Sequence, residues 1–302
     1  MDEKKIWDQV ENLPSLPDIV TRVMDVTSNP ESSAKDLLQA ILPDQSMCIS
    51  ILKIANSALF GQPKTVSSIE RAIMILGFNE VQSIVLGRAA VNSFGQIPAH
   101  HKYTVSSFWE HSFACGLAAK TIAEHVGLSP GDFFIGGLIH DIGKLAMLLA
   151  LEDEYDPGTW MLGAGRPEIF ENEKLMFGVD HGMVGAKLLQ KWAFPNSLLL
   201  AVAHHHRPEA CLKGRGYPLI IQLADFYAHL CNQPHLLDEV SLEELTNSFL
   251  PKLKKQWLEL KLPWEEVTME AWFNWLKIET RHGSSVMSIL ASDSRVAADS
   301  DK

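Results

Sequence analysis

The sequence predicts an all-helical protein, and three observations carry that expectation. Apolar residues recur at helical spacing on both sides of a Gly127-x-Ser129-Pro130 break: Phe113, Leu117, Ala118 and Ile122 before it, Leu138, Ile142, Leu145 and Leu149 after it. Residues 13–95 divide into short apolar pieces whose ends carry Ser, Asn, Gly and Pro, the residues that start and stop helices. The chain beyond Tyr217 reads in the same way, as helical pieces such as LIIQLADFYAHL and TMEAWFNWLKIETRH.

Each element follows from local chemistry. Leu13-Pro14-Ser15-Leu16-Pro17 leads into a helix that ends near Asn29-Pro30, and Ser32 or Ser33 caps the next through Leu42. Pro43 suits the first turn of PDQSMCISILKIANSAL, and Ser67-x-x-Glu70 makes a capping box before AIMILG. Gly77 stops that helix and Asn79 caps NEVQSIVLGRAAV. This region reads as a packing unit, with Asn56 and Ser57 in a local structural role. Residues 108–150 form an antiparallel helical hairpin. Asp180 caps a helix opened by Val179-Asp180-His181, Pro195 begins another over residues 197–206, and Gly214-Arg215-Gly216-Tyr217-Pro218 makes a turn before the helix bearing Asp225. Pro157, Gly158, Gly163, Gly165 and Pro167 make part of residues 155–177 a surface connection. Trp257, Trp264, Trp272 and Trp275 pack the last helices, and a mobile tail starts at Gly283.

Composition narrows the function. With 302 residues and 46% hydrophobic content the chain can bury a large core, and a formal net charge of -11 speaks against a nucleic-acid partner. The start, MDEKKIWDQV, lacks the apolar segment of a signal peptide. The longest apolar run, residues 133–151, carries His140, Asp141 and Lys144 through its middle, which lipid would penalise, so no membrane span is expected. Cys48, Cys115, Cys211 and Cys231 are isolated, as reduced thiols of a cytoplasmic protein would be.

Polar groups set into these apolar helices carry the chemistry. Asp141 and Lys144 lie between Ile139 and Leu145, where an unpaired charge is costly. Adjacent helical side chains diverge by about 100°, so His205 and His206 share one ion only near a helix end, which Pro208 supplies. His111, His140, Asp141, His181, His205, His206 and Asp225, on five apolar helices, together point to a metal site. Nitrogen and oxygen donors without thiolate favour iron, manganese, zinc or nickel over calcium. A four-ligand mononuclear site and a two-metal site both fit. His100, His101, His125, His204, His229, His235 and His282 read as ordinary core or surface residues.

The stretches LPSLPDIV, ILPDQSMCISILKIANSALFG, SSIERAIMILGFNEVQSIVLG, FWEHSFACGLAAKTIAEHVGL, GLIHDIGKL, DHGMVGAKLLQKWAFPNSLLLAVAHHHRPE and LADFYA resemble, in this order, the HDOD family. These are the HD-related output domains of bacterial signalling proteins, and the resemblance covers residues 10–230. It implies an N-terminal helical subdomain over 1–98 and an HD-like metal-binding subdomain over 99–235; the residue pattern alone adds C-terminal helices over 236–282 and a disordered tail over 283–302. In the HD superfamily, positions matching His111, His140, Asp141 and Asp225 bind one metal. The HD-GYP phosphodiesterases, which cleave cyclic di-GMP, add positions matching His181, His205 and His206, with Asp141 bridging two divalent transition-metal ions: iron or manganese, with nickel or zinc as alternatives. Lys144 resembles the lysine of the HD-x-x-K pattern and would donate to a nonbridging phosphate oxygen, so Asp141 and Lys144 are the catalytic candidates.

The chain also departs from that pattern. Ser107 stands where some three-metal HD-GYP enzymes have glutamate, which argues against a third ion. Arg207 stands where HD-GYP proteins usually have glutamate, and the GRGYP turn lies farther along the chain than their GYP motif, which leaves the cyclic dinucleotide open. Three functions remain: a metal-dependent phosphohydrolase acting on a nucleotide or cyclic dinucleotide, a non-catalytic signalling module with a structural or sensory metal, and diiron oxygen chemistry. The expected partners are a small phosphate-containing ligand and signalling proteins, without nucleic acid or membrane. One geometric obstacle stands out. If the turn at 127–130 closed flush, His111 and His140 would sit about six residues out of level, roughly 9 Å along the axes.

Overall fold

The computed structural model describes residues 2–57, 65–94, 97, 102–155, 168–238 and 240–291, some of them along the backbone only. Among them every regular element is helical and no strand occurs. The chain divides into two units, one of Pro14–Gln96 with Glu279–Lys302 and one of Met1–Leu13 with Ile97–Ile278. Helix α1 (Asp2–Asn12) therefore groups with the larger unit, away from the segment that follows it.

The smaller unit contains α2 (Asp18–Ser28), α3 (Ala34–Ile41), α4 (Gln45–Ala55), α5 (Ile69–Leu76) and α6 (Phe78–Ser93). Ser33 and Asp36 form a full capping box at the start of α3. Three helix starts differ from the sequence expectation by a residue or two. Asp44 caps α4, accepting from the Met47 amide at 2.9 Å, so Pro43 lies outside the helix. Ser68 replaces Ser67 as the cap of α5; its third helical residue is then Arg71, which cannot complete a box as Glu70 would have done. Gly77, at φ +80°, ends α5 and directly precedes α6, so Asn79 falls inside the helix and caps nothing. Asn56 does have a structural role: it accepts from the Val66 amide at 2.7 Å and donates to the Val66 carbonyl at 2.8 Å, tying the end of α4 to the segment that leads into α5.

The larger unit holds α7 (Lys102–His125), α8 (Pro130–Ile139), α9 (Ile142–Leu151), α10 (Glu168–Phe177), α11 (His181–Lys191), α12 (Asn196–His204), α13 (Gly216–Asn232), α14 (Leu242–Phe249), α15 (Leu253–Glu259) and, through Ile278, α16 (Glu266–Ala291). The expected hairpin is α7 against a second arm that breaks at His140-Asp141 into α8 and α9. The whole second arm, Pro130–Leu151, is apolar and long enough to cross a membrane, yet 89% of its most apolar window is buried inside the fold. Helix α1 buries Ile6 and Val10 against α9 and α11, and the Lys191 ammonium donates to the carbonyls of Val10, Glu11 and Leu13 at its C-terminus. The Gly214-Arg215 turn feeds straight into α13, which takes Gly216, Tyr217 and Pro218 as its first turn. Trp257 and Trp272 are buried and Trp264 and Trp272 lie beside Trp257, as packing residues should, whereas Trp275 stays 36% exposed. Helix α16 runs on to Ala291, so the segment expected as a tail from Gly283 begins in helical backbone. The Pro157–Pro167 loop reading, His100, His101 and residues 292–302 lie outside the described residues.

Glycines set the register that positions the chemistry. A Cβ on Gly137 would fall 2.7 Å from the Cys115 backbone, and one on Gly116 would fall 2.9 Å from the Phe134 carbonyl, so α7 and α8 touch main chain to main chain there. Measured from this crossing, His111 is one turn toward the start of α7 and His140 three residues toward the end of α8. The two are nearly level, and their ring centroids lie 5.5 Å apart. The offset expected from the turn disappears because the helix crossing, not the connection, fixes the register. A second close approach joins α9 to α11: a Cβ on Gly143 would fall 1.9 Å from the His181 carbonyl.

Candidate metal centre

His140 and Asp141 owe their placement to the break between α8 and α9. Asp141 occupies the position before α9, at φ −99° and ψ 9°, but its carboxylate does not cap that helix. It turns into the core, where Oδ2 accepts from the Lys144 ammonium at 2.5 Å and Oδ1 lies 3.2 Å from His181 Nε2 and 3.5 Å from His205 Nε2. His140 donates Nδ1–H to the Gly137 carbonyl at 2.7 Å, which aims Nε2 at Asp141 Oδ2 (3.3 Å) and Asp225 Oδ1 (3.4 Å). His111 on α7 reaches the same Asp225 oxygen at 2.9 Å.

The other side is built where α12 ends. His205 terminates that helix and turns Nδ1 to the Val202 carbonyl at 2.8 Å, while His206 and His181 bring their Nε2 atoms within 2.8 Å of each other. Asp180 caps α11 as the sequence predicts, which puts His181 at its first position. All seven side chains singled out in the sequence thus converge. Their donor atoms fall into three overlapping groups, one of Asp141, His181, His205 and His206, one of His111, His140 and Asp141, and one of His111, Asp225 and His229, the atoms of each group lying within 4.8 Å of one another.

Two residues that sequence reasoning passed over belong here. His229 lies one turn after Asp225 on α13, is 7% exposed, and places Nε2 3.3 Å from Asp225 Oδ1 with its ring 4.1 Å from that of His111. Its i+4 spacing from Asp225 on one helix face was the available signal. Glu173 on α10 is 4% exposed and accepts from both Nδ1 (2.6 Å) and the main-chain amide (2.8 Å) of His181. Its segment looks amphipathic and follows a Gly- and Pro-rich connection, so nothing in the sequence marks it. His125 binds the Thr121 carbonyl and lies against Trp272, an ordinary structural histidine as expected.

The electrostatics fit a cation. Burial, then the neighbouring imidazoles, hold His205 and His206 below the usual histidine range, and burial with His229 takes His111 down to about 4, so these rings are neutral and able to ligate. Burial opposes charge on Asp141 and Asp225, but the adjacent imidazoles, and Lys144 beside Asp141, hold both carboxylates well below their ordinary value. Burial pushes the Cys115 thiol up, which keeps it out of the donor set. His140 Nε2 and Asp141 Oδ1 are buried without a hydrogen bond. Two imidazoles go the other way: against burial, Asp141 raises His140 and Glu173 raises His181 to about 9, so without a cation these two rings hold a proton where an ion would sit. Imidazoles that converge with Asp141 Oδ1 match the donor set of a transition-metal site.

Comparison with known proteins supplies the family. A protein of Treponema pallidum (strain Nichols) called "Uncharacterized protein" is 24% identical over 203 residues; these are 67% of this chain but 39% of that protein, so the chain spans about two fifths of its length. The structure of a "Putative phosphohydrolase" from Shewanella amazonensis SB2B matches with a TM-score of 0.71 at 21% identity, covering 95% of this chain and 98% of that one. A "Putative signal transduction protein" from Marinobacter aquaeolei VT8 matches with a TM-score of 0.74 at 18% identity, covering 96% of this chain and 66% of that one. At these identities the structures speak for the fold. The HDOD domain model matches residues 13–208, and the chain belongs to the HDOD family.

Proposed function

We propose that the larger unit holds two divalent transition-metal ions and hydrolyses a phosphoester of the nucleotide or cyclic-dinucleotide class. One observation carries this reading: two clusters of donor atoms share Asp141, whose Oδ1 has no hydrogen bond of its own. His111, His140, Asp141 and Asp225 would hold one ion, and Asp141, His181, His205 and His206 the other. Iron or manganese suits the imidazole and carboxylate donors, with zinc or nickel as substitutes. Two ions so held supply an acidified water and a clamp for phosphate and leaving-group oxygens. Lys144 keeps Asp141 ionised and, having three donors of which Asp141 uses one, has capacity left for a nonbridging phosphate oxygen. Its own charge is secure: burial works against it, but Asp141 outweighs burial and raises its pKa.

A second reading has an observation of its own. His140, His181 and His205 are at most 1% exposed, which suits a metal kept for structure or sensing in a signalling module. Metal analysis and a hydrolysis screen decide between the two. Close to two ions per chain with turnover of an artificial phosphodiester or a cyclic dinucleotide supports the enzyme. Metal without turnover supports the module, and absence of any bound transition metal after loading sinks both.

A further inference from the structure

We infer that Glu173 is a positioning residue for the His181 end of the metal site, an inference that rests on the two-ion reading above. Burying a carboxylate is costly unless its oxygens are used, and Glu173 uses both. Oε2 accepts from Nδ1 and from the main-chain amide of His181, and Oε1 accepts from the Tyr155 hydroxyl. The same carboxylate therefore grips the ring and the backbone of one residue, while Tyr155 prevents it from turning away. With Nδ1 committed, His181 has only Nε2 to offer inward, and that atom faces Asp141 Oδ1, His205 Nε2 and His206 Nε2.

The other imidazoles are held differently. His140 and His205 donate Nδ1–H to the neutral carbonyls of Gly137 and Val202, and His111 Nδ1 has no hydrogen bond. Among the described residues, His181 is the site imidazole whose Nδ1 meets a carboxylate. A charged acceptor on Nδ1 fixes the ring orientation and makes Nε2 a stronger donor toward a cation, so Glu173 strengthens the position shared by His181, His205 and His206 and leaves the His111–His140–Asp225 position alone. A purely structural alternative exists, because the same bonds tie α10 to the start of α11. The test must separate the two.

The metal-free full-length protein is titrated with Co²⁺ against a coloured chelator, and the visible absorption of bound Co²⁺ is followed. The wild type takes up two ions. In Glu173→Ala one binding class weakens about 10- to 100-fold and its absorption spectrum changes, while the other class is unmoved. Glu173→Gln, which still accepts from Nδ1 but carries no charge, falls between. Unchanged affinity at both positions overturns the inference. Parallel weakening of both positions, together with a lower melting temperature of the metal-free protein, also overturns it, since that is what a structural tie alone would give. If the alanine variant does not fold, the glutamine variant decides: wild-type affinity there refutes the role. A wild type that binds no Co²⁺ refutes the metal reading itself.

Discussion

Gly143→Ala is the sharpest mechanical test of how the site is assembled. A Cβ at this position would lie 1.9 Å from the His181 carbonyl oxygen and 2.7 Å from the Gly185 amide. Ordinary contact begins near 3.4 Å, so the helices must part by about 1.5 Å, and neither obstacle can rotate away because both are backbone. Overpacking of this kind costs about 1–3 kcal/mol. Alanine's better helix propensity returns about 1 kcal/mol, for a net loss of at most about 2 kcal/mol. The functional effect is larger. Asp141 Oδ1 and His181 Nε2, 3.2 Å apart on the two sides of this contact, would be driven apart, which weakens an ion they share. Urea unfolding and Co²⁺ titration read the two effects, with Gly216→Ala as control because nothing lies within 4 Å of its Cβ position. A Gly143→Ala protein with wild-type stability and two wild-type Co²⁺ affinities would refute the close approach of α9 and α11.

Other perturbations give separate expectations. The metal-free protein should be most stable near pH 6.5. His111, depressed by burial and His229 to about 4, makes stability fall as pH drops from 6.5 toward 4, while His181, raised to about 9 by Glu173 against burial, contributes stability that is lost as pH rises from 6.5 through 9. Each limb is worth about 3 kcal/mol, and urea midpoints that climb or fall monotonically from pH 4 to 9 would contradict the assignment. Lys144→Ala should keep both ions but lower phosphodiester turnover by about 10²–10³-fold, whereas unchanged turnover removes Lys144 from the mechanism. Asn56→Ala, which strips both hydrogen bonds from the buried Val66 backbone, should destabilise the protein by about 1–3 kcal/mol in urea, and no shift in midpoint would deny the tie that role.

The helical class and the convergence of seven side chains were legible because burial leaves a contrast: Asp141, Lys144 and Asp225 are conspicuous among leucines and isoleucines. What escaped the sequence has two physical origins. Helix register depends on where two backbones can touch, and Gly116, Gly137 and Gly143 are read along one helix as weak helix formers rather than as contact points with another. Glu173 shows the other limit. A carboxylate beside Lys174 and Asn172 has the surroundings of a surface residue, and only the tertiary fold reveals that it points inward. Helix starts slipped by a residue where two capping side chains stood side by side, as Ser67 and Ser68 do.

The grouping of α1 with the larger unit bears on any attempt to divide this protein. The polypeptide begins one folded body, leaves it at Pro14 to make another, and returns at Ile97 to finish the first. A fragment cut to start at Ile97 would contain every donor atom and still lack its first helix. Ile6 and Val10, both fully buried, would leave a bare apolar furrow along α9, the helix that carries Lys144, and Lys191 would lose its three carbonyl acceptors. Excision that respects the architecture must carry both separated pieces of chain.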